Sequence, residues 1–529
     1  MKGKITSIFF LLVSFISACN QLESKKNRIL SKEYADTLHA TIVTGSFIES
    51  SPLIIDSLEI SYFFNLYPKL QPYQNEVFSF YRNRLFAFAW HDSTGKVEAY
   101  QILFNRLMQI EENGFVDEVP YLETFKRYAN KEKNDSVAYV DLMHTAQYFH
   151  FAHRVLGGLQ EQDLQLLEWH IPKPKKNYNE LLDQFISGEK EILEKSMYPQ
   201  YHLLRKALIN LRQLEEKGGW PKIVYKGKAL KEGINDSTVI TIKKRLSLSG
   251  EWLLADSSDL FNDELVESVK LFQERNGLAT DGVIGLHTIN AMNVPIADRI
   301  KQVIINMERC RWMPIFSEGD YLLVNIPAFS LEVRNNDSLV FICDAIVGKE
   351  TNKTAIFKGM MKYVVFNPYW NVPDQILKKE IIPELSKNKD YLNENHMEWY
   401  EGRLRQLPGP DNALGTIKFL FPNPFDIYLH DTPTKGLFKE ERRAFSHGCI
   451  RISAPYALAE YLLRNQKEWT SEKINEVLSK NKELYVKLEE DIPVYVLYLT
   501  AYVSIDGYLN FREDIYRKDD ALARMLIKK

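Results

Sequence analysis

Cysteine is scarce in this chain: four in 529 residues, at positions 19, 310, 343 and 449. They are scattered and form no CxxC pair, which argues against a disulfide-stapled scaffold and a paired-cysteine metal site. A surplus of charge of either sign is missing too, with 67 basic residues against 70 acidic and a formal net charge of −3. A nucleic-acid binder normally carries a basic excess, so that class of partner is disfavoured. Nor does any uncharged apolar run reach the roughly 20 residues needed to span a bilayer. What is present, 45% apolar and 26% charged residues, is the composition of an ordinary globular protein. At about 100–200 residues per domain the length predicts three or four domains.

The N-terminus reads as an export signal. Met1-Lys2-Gly3-Lys4 gives a short positive start, and Ile5 to Ala18 is a mostly apolar, uncharged run of 14 residues. That is too short for a membrane span and fits a signal peptide over 1–18. The run ends Ile16-Ser17-Ala18-Cys19, which resembles a bacterial lipobox. The resemblance implies cleavage before Cys19 and lipidation of Cys19; a plain signal peptide with an incidental cysteine is the competing reading. One acyl chain holds a protein only marginally and several hold it firmly. Bacterial lipoproteins typically carry three, which implies stable anchoring. Asn20, where an aspartate would suggest inner-membrane retention, favours the outer membrane. The expected location is the cell envelope, on its periplasmic side.

Residues 19–50 are polar and read as a tether. From about Leu58 to Glu216 the pattern is mostly helical, as in Leu204, Ala207, Leu208, Leu211 and Leu214, and that helix should stop at Gly218-Gly219. Tyr and Phe are frequent here and read as an aromatic helical core. About Ser237 to Pro295 is a compact helical unit in which Leu265, Val269 and Phe272 mark one face. From Tyr321 the period changes to strands: Tyr321–Asn325, Asp344–Val347, Tyr363–Phe366 and Ile427–His430. Lys378 to Tyr400 is charged and irregularly helical, long enough for an insertion or lid. Pro455 to Leu463 reads as a helix. Val494 to Phe511 is strand-like, with Asp506-Gly507 as a hairpin turn.

The chemistry concentrates in Arg443-Ala444-Phe445-Ser446-His447-Gly448-Cys449-Ile450-Arg451, with Tyr428-Leu429-His430-Asp431 upstream. A thiol is intrinsically nucleophilic but mostly protonated at neutral pH, and a nearby imidazole or cation supplies the thiolate. Gly448 lets the backbone approach closely, so that successive N–H groups point at one oxygen, as an oxyanion hole requires. Three readings are open at this point. His430, His447 and Cys449 form a Cys-His acyl-transfer site, or a buried cysteine among core histidines, or three ligands of a metal with an open fourth position. No spacing signature supports the metal.

Ser446-His447-Gly448-Cys449-Ile450-Arg451 with His430 upstream resembles the signature of the L,D-transpeptidase (YkuD) family. Further stretches resemble its large YcbB-like branch: Asn306-Met307-Glu308-Arg309-Cys310-Arg311-Trp312-Met313-Pro314, Asn367-Pro368-Tyr369-Trp370-Asn371-Val372-Pro373, Gly415-Thr416-Ile417-Lys418-Phe419 and Gly218-Gly219-Trp220-Pro221. Cys310 departs from the aromatic residue usual there. The run from Val269 to Thr288 is similar to the peptidoglycan-binding-domain-1 family. The resemblance implies a multidomain α+β fold: a helical scaffold (51–236), a small helical peptidoglycan-binding module (237–296), a mainly β catalytic domain (297–511) with a capping loop at about 374–412, and a tail (512–529).

It also implies roles. Cys449 is the nucleophile and His430 the proton acceptor and later donor. Asp431 orients His430, and His447 positions the nucleophile. Backbone N–H groups around His447, Gly448 and Cys449 hold the oxyanion, and Ser446 belongs to the same substrate-binding or oxyanion set. Arg451 and Arg443 orient the loop or pair with a substrate carboxylate; a structural salt bridge is the bland reading of each. Tyr428, Tyr369 and Trp370 line the groove, with core packing the competing reading of Trp370. The implied reaction joins two peptidoglycan tetrapeptide stems by a 3→3 cross-link, through a Cys449 thioester, with release of D-Ala and no cofactor or metal. A stem or wall-protein hydrolase using the same site, and a non-catalytic peptidoglycan-binding protein, are the alternatives. Cys310 and Cys343 read as buried thiols in preference to a disulfide. Replacing Cys19 by Ala should release the protein from the membrane fraction; unchanged membrane retention on fractionation would contradict the lipobox reading.

Overall fold

The structure is a computed structural model that describes residues 54–526, apart from 93–94, 116–118, 131–135, 225 and 317. The leader, Cys19 and the tether fall outside the described residues. No helix among the described residues is long and apolar enough to cross a membrane.

The N-terminal half is built around helix α1 (Val137–Phe151), which is buried on every side and therefore sits at the centre of the helical layer. Its buried acid is fully partnered. The Asp141 carboxylate accepts the N–H groups of Ala89 and Trp90, each at 2.9 Å, and the Tyr81 hydroxyl at 2.6 Å. The aromatic residues foreseen as core pack there as rings, Tyr100 stacking on His144 at 3.6 Å between centroids. Helix α2 (Pro199–Glu216) opens on a proline, whose missing N–H costs nothing at that position, and gives way to Gly218 and Gly219, both at positive φ.

Three helices, α3 (Ser237–Ser249), α4 (Asp263–Arg275) and α5 (Leu286–Met292), make a module with its own core. Asp236 and Asn262 cap α3 and α4 by accepting N–H groups of Thr238 and Leu265. Leu265, Val269 and Phe272 are buried there, as their spacing suggested. This core begins ahead of residue 237, because the preceding segment folds back. Ile223 and Leu230 pack into it, Leu230 pairs with Ile284, and the Gly233 N–H bonds to the Phe261 carbonyl at 2.8 Å.

Helix α6 (Ile296–Arg311) leads into a ten-stranded sheet. Its main strands are β1 (Asp320–Asn325), β2 (Ser330–Asn335), β3 (Ser338–Gly348), β4 (Ile356–Phe366), β5 (Ile417–Leu420), β6 (Leu429–His430), β7 (Ala444–Ser446), β8 (Ile450–Ile452) and β9 (Leu484–Leu497). The order is β5-β6-β8-β3-β2-β1-β9-β4, and β5 also pairs with β4, so the sheet closes on itself. Strand β9 starts ten residues before the expected Val494. A register break between Lys487 and Ile492 lets the charged run Glu489-Glu490-Asp491 interrupt the apolar alternation that marks a strand. Trp169–His170, from the helical half, adds to the far side of β4.

Between β4 and β5 the chain makes an insertion with helical turns, a three-stranded sheet and a core of Val372, Ile381 and Leu404. Helix α7 (Pro455–Leu463) follows β8. The hairpin of β10 (Ala501–Val503) and β11 (Leu509–Phe511) is followed by α8 (Lys518–Leu526). That last helix is tied to α6 by Arg309 and Asp519 at 2.7 Å, so the segment expected as a tail is part of the fold.

One hydrophobic core runs from Ile55 to Ala523, through both the helical half and the sheet. Its polar joint is on α6. Glu308 and Arg311 are almost fully buried and pair at 2.7 Å. Glu308 also accepts the Leu159 N–H at 2.6 Å and the Trp312 indole at 2.9 Å. Arg311 donates to the carbonyls of Val155 and Asn113 at 2.9 and 2.7 Å. Removing one partner of such a pair leaves a buried charge uncompensated, which costs about 3–5 kcal/mol. Glu308→Ala should lower stability by that amount, read as a fall in the urea midpoint, and adding Arg311→Met should recover part of it. A loss under about 1 kcal/mol would contradict this role for the joint.

Candidate active site

Strands β6 and β8 are short parallel neighbours, with Leu429 opposite Ile450 and His430 opposite Arg451. Side chains alternate across a strand. Leu429 and Ile450 are fully buried in the core, so His430 and Arg451, with the flanking Tyr428 and Cys449, belong to the other face. Strand β5 extends this row, because Lys418 pairs opposite His430. The Lys418 ammonium lies 3.9 Å from the centroid of the Tyr428 ring, and that ring lies 5.6 Å from the His430 ring.

The His430 Nδ1 is 2.5 Å from the Asp431 backbone carbonyl. A carbonyl only accepts, so Nδ1 carries the proton and Nε2 is left with its lone pair. Burial, and then the neighbouring charge of Arg451, push the imidazole down to about 3. It is a neutral base at any ordinary pH. The Asp431 carboxylate is turned elsewhere: one oxygen accepts the N–H and hydroxyl of Thr416, at 2.9 and 3.0 Å, and the other takes the Lys435 ammonium. Gly415 allows this packing, since its φ is +62° and a Cβ there would fall 2.4 Å from the Asp431 carboxyl. Asp431 thus holds His430 through its main chain alone.

Cys449 is a half-buried free thiol. Burial pushes it up, while hydrogen bonds from Tyr428 and the charge of Lys418 pull it down, leaving it above the ordinary thiol value. Its Sγ lies 3.6 Å from the Asp426 carbonyl. The preceding loop is held from within. The Ser446 hydroxyl donates to the Cys449 carbonyl at 2.5 Å and accepts the Gly448 N–H at 3.1 Å, and Thr354 donates to the Gly448 carbonyl at 2.8 Å. Gly448 sits at φ +123°, open to glycine and little else. The Gly448 N–H, expected among the oxyanion donors, is taken in this structure by the Ser446 hydroxyl. Among the described residues the N–H groups of His447 and Cys449 take no acceptor.

The other expected residues divide. Arg451 stays at the site, donating to the Thr434 hydroxyl at 3.3 Å; its buried Nε has no partner among the described residues, and burial lowers its pKa. Arg443 does not line the site. It pairs with Asp344 at 3.0 Å and donates to the Phe329 carbonyl at 3.2 Å, which is the structural role. Tyr369 lies beneath the Arg405 guanidinium and Trp370 packs into the insertion's own core, so both shape the insertion. His447 reaches that insertion directly, its Nε2 2.7 Å from Glu380. Cys310 and Cys343 are buried free thiols, raised by burial to about 12 and about 11. Lys418 was overlooked as a site residue. It has no side-chain hydrogen bond or ion pair among the described residues, and its charge and that of a Cys449 thiolate stabilise one another.

Family models match three parts of the chain: an L,D-transpeptidase catalytic domain (YkuD) over residues 319–475, a scaffold domain over 75–208, and a "Putative peptidoglycan binding domain" over 235–292. A curated relative from Haemophilus influenzae, described as "Putative L,D-transpeptidase", is 30% identical over 280 residues. The match covers 48% of this chain and 56% of the relative, so it spans little more than half of that protein. Among solved structures, an L,D-transpeptidase from Xylanimonas cellulosilytica is 14% identical, covers 52% of this chain and 100% of its own, and has a TM-score of 0.19. Another from Stackebrandtia nassauensis is 13% identical, covers 52% and 96%, and scores 0.22. Scores this low add nothing to the domain match.

The pH dependence of Cys449 alkylation tests the electrostatics of the face. A neutral imidazole gives no thiolate–imidazolium pair, so iodoacetamide reactivity should climb in one step at alkaline pH, with no plateau between pH 5 and 7. Lys418→Met should move that midpoint up by about one unit, roughly a tenfold loss of rate at pH 8, whereas Lys418→Arg should not. A midpoint unchanged in the Met variant would remove Lys418 from the site.

Proposed function

We propose that this chain, which carries an L,D-transpeptidase catalytic domain, is a cell-wall transpeptidase that forms 3→3 peptidoglycan cross-links through a thioester on Cys449. The observation that carries this reading is the Lys418–His430–Arg451 row beside Cys449, with the His430 Nε2 lone pair free. In the first half-reaction the Cys449 sulfur attacks the carbonyl carbon of the third residue of a donor stem while His430 Nε2 takes the thiol proton. The oxyanion is held by the N–H groups of His447 and Cys449. The amide bond to D-Ala breaks, and His430 returns its proton to the departing amine. In the second half the side-chain amine of an acceptor stem attacks the thioester and gives a proton to His430, the C–S bond breaks, and His430 returns that proton to the departing sulfur, which regenerates the Cys449 thiol and the neutral imidazole.

Arg451 meets a stem carboxylate or the developing negative charge. The insertion at about 374–412, linked to the nucleophile loop through His447 and Glu380, shields the thioester from water. Peptidoglycan as the substrate agrees with the matched binding and catalytic domains, which also support a location in the cell envelope. A lipid on Cys19, on the periplasmic side and at the outer membrane, would hold it near that polymer.

Purified protein incubated with disaccharide-tetrapeptides should release D-Ala and yield cross-linked dimers by mass spectrometry, and Cys449→Ala should abolish both. Tripeptide without dimer would replace the transpeptidase by a hydrolase of the same site. Turnover persisting in Cys449→Ala would remove the thioester altogether.

A further inference from the structure

A cavity of about 510 Å³ lies where α2, the α3–α5 module and the β10–β11 hairpin meet. It shares no lining residue with the Cys449 face. Part of its wall is apolar, with Leu211, Leu214, Trp220, Phe272 and Phe511. Into the same space come three arginines, Arg245, Arg275 and Arg299, exposed by only 3%, 9% and 9%. One carboxylate faces them, Glu251, and it is taken by Arg275 and by the Ser249 hydroxyl.

Arg245 donates to the Met292 carbonyl at 3.0 Å and to Ser249 at 2.7 Å, and its guanidinium lies 3.9 Å from the centroid of the Trp220 ring. Arg299 donates to the side-chain oxygens of Gln302 and Asn276, at 2.9 and 2.8 Å, and lies 4.1 Å from the Phe511 ring. Neither meets a carboxylate in a hydrogen bond or ion pair among the described residues. Burial lowers Arg245 to about 10, opposed by the charge of Glu251 and aided by that of Arg275, and lowers Arg299 to about 9, aided by the charge of Arg245 and opposed by that of Asp298.

Three buried cations share one lining carboxylate, Glu251, and among the described residues the forks of Arg245 and Arg299 meet no acid directly, an arrangement that a bound anion would complete. Planar guanidinium groups fixed on aromatic rings are preorganised for an oxyanion. We propose that this cavity is a binding site for an oxyanion-bearing ligand: the carboxylate of a short peptide, bound by Arg245 and Arg299, with its apolar part against Trp220 and Phe511. The choice of a peptide rests on the peptidoglycan reading above; the oxyanion chemistry does not, and a phosphate would satisfy the same forks.

The test uses the full chain carrying Cys449→Ala, so that no acylation intervenes. Tryptophan fluorescence and Tm are followed while disaccharide-tetrapeptide, or separately inorganic phosphate, is added at constant ionic strength. The expected result is a saturable quench and a rise in Tm with the peptide, both weakened at least tenfold in Arg245→Met/Arg299→Met, the quench being lost in Trp220→Phe. Arg245→Lys and Arg299→Lys, which keep the charge but not the fork, provide variants that preserve the buried cations should the double Met variant fail to fold; each should weaken binding. Saturation by phosphate alone overturns the peptide and leaves a phosphate ligand. Saturation by neither probe, or binding undiminished in the arginine variants, overturns the site. Binding is read without turnover, so a Cys449 that proves hydrolytic or silent leaves this result standing.

Discussion

Parallel pairing of Leu429–His430 with Ile450–Ile452 sets which side chains meet. The two strands are separated by 19 intervening residues and share only a short register, yet that register puts the base and the nucleophile on one face and their apolar alternates in the core. A slip of one residue would send His430 into the interior and Leu429 to the site. The hydrogen bonds around it resist such a slip. The Ile450 N–H bonds to the Tyr428 carbonyl at 3.1 Å, Ser446 braces the loop on one side, and Asp431 is pinned by Thr416 and Lys435 on the other. The Asp431 carboxylate earns its place by fixing the main chain whose carbonyl then fixes the histidine.

The same pairing determines the charge state. His430 is flanked across the sheet by two cations and lies beneath protein on all sides, so a resting imidazolium is unfavourable. Positive charge near the sulfur comes from Lys418 and Arg451, each of which burial lowers and the Cys449 thiolate raises. Proton transfer and charge stabilisation are thereby divided between different side chains. The base remains free to accept a proton at the moment of attack, while the thiol stays largely protected by protonation until a substrate is seated.

How much of this was legible depended on whether a feature is local in the chain. The Ser446–Arg451 run, the helix over Pro455–Leu463, the stop of α2 at Gly218 and the hairpin at Asp506-Gly507 are short-range patterns, and each corresponds to an element in the structure. Features set by pairing between distant segments were hidden. Lys418 becomes a site residue only through its register with His430. Arg443 looks like part of the nucleophile motif but is claimed by Asp344, a hundred residues earlier. The roles of Asp431 and of the Gly448 N–H hinge on which of two groups a hydrogen bond uses, and residue type alone does not decide that. The arginines at 245, 275 and 299 stand on three different helices, and no spacing rule would have grouped them.

The continuity of the core through the helical half and the sheet has a consequence for how such a protein could be dismantled. The borders drawn from motifs suggest pieces that could be shuffled, yet the last strand beside β4 comes from Trp169–His170 and the buried carboxylate of α6 is satisfied by the backbone of Leu159. A gene fragment beginning near residue 297 would encode every residue of the Cys449 face and still leave an open strand edge and an orphaned acid where the helices belong. Evolution could therefore vary the insertion or the small module, which have cores of their own, more freely than it could separate the helical half from the sheet. Recombination, like protein engineering, would find its tolerated break points around the insertion and the small module and not between the helical half and the sheet.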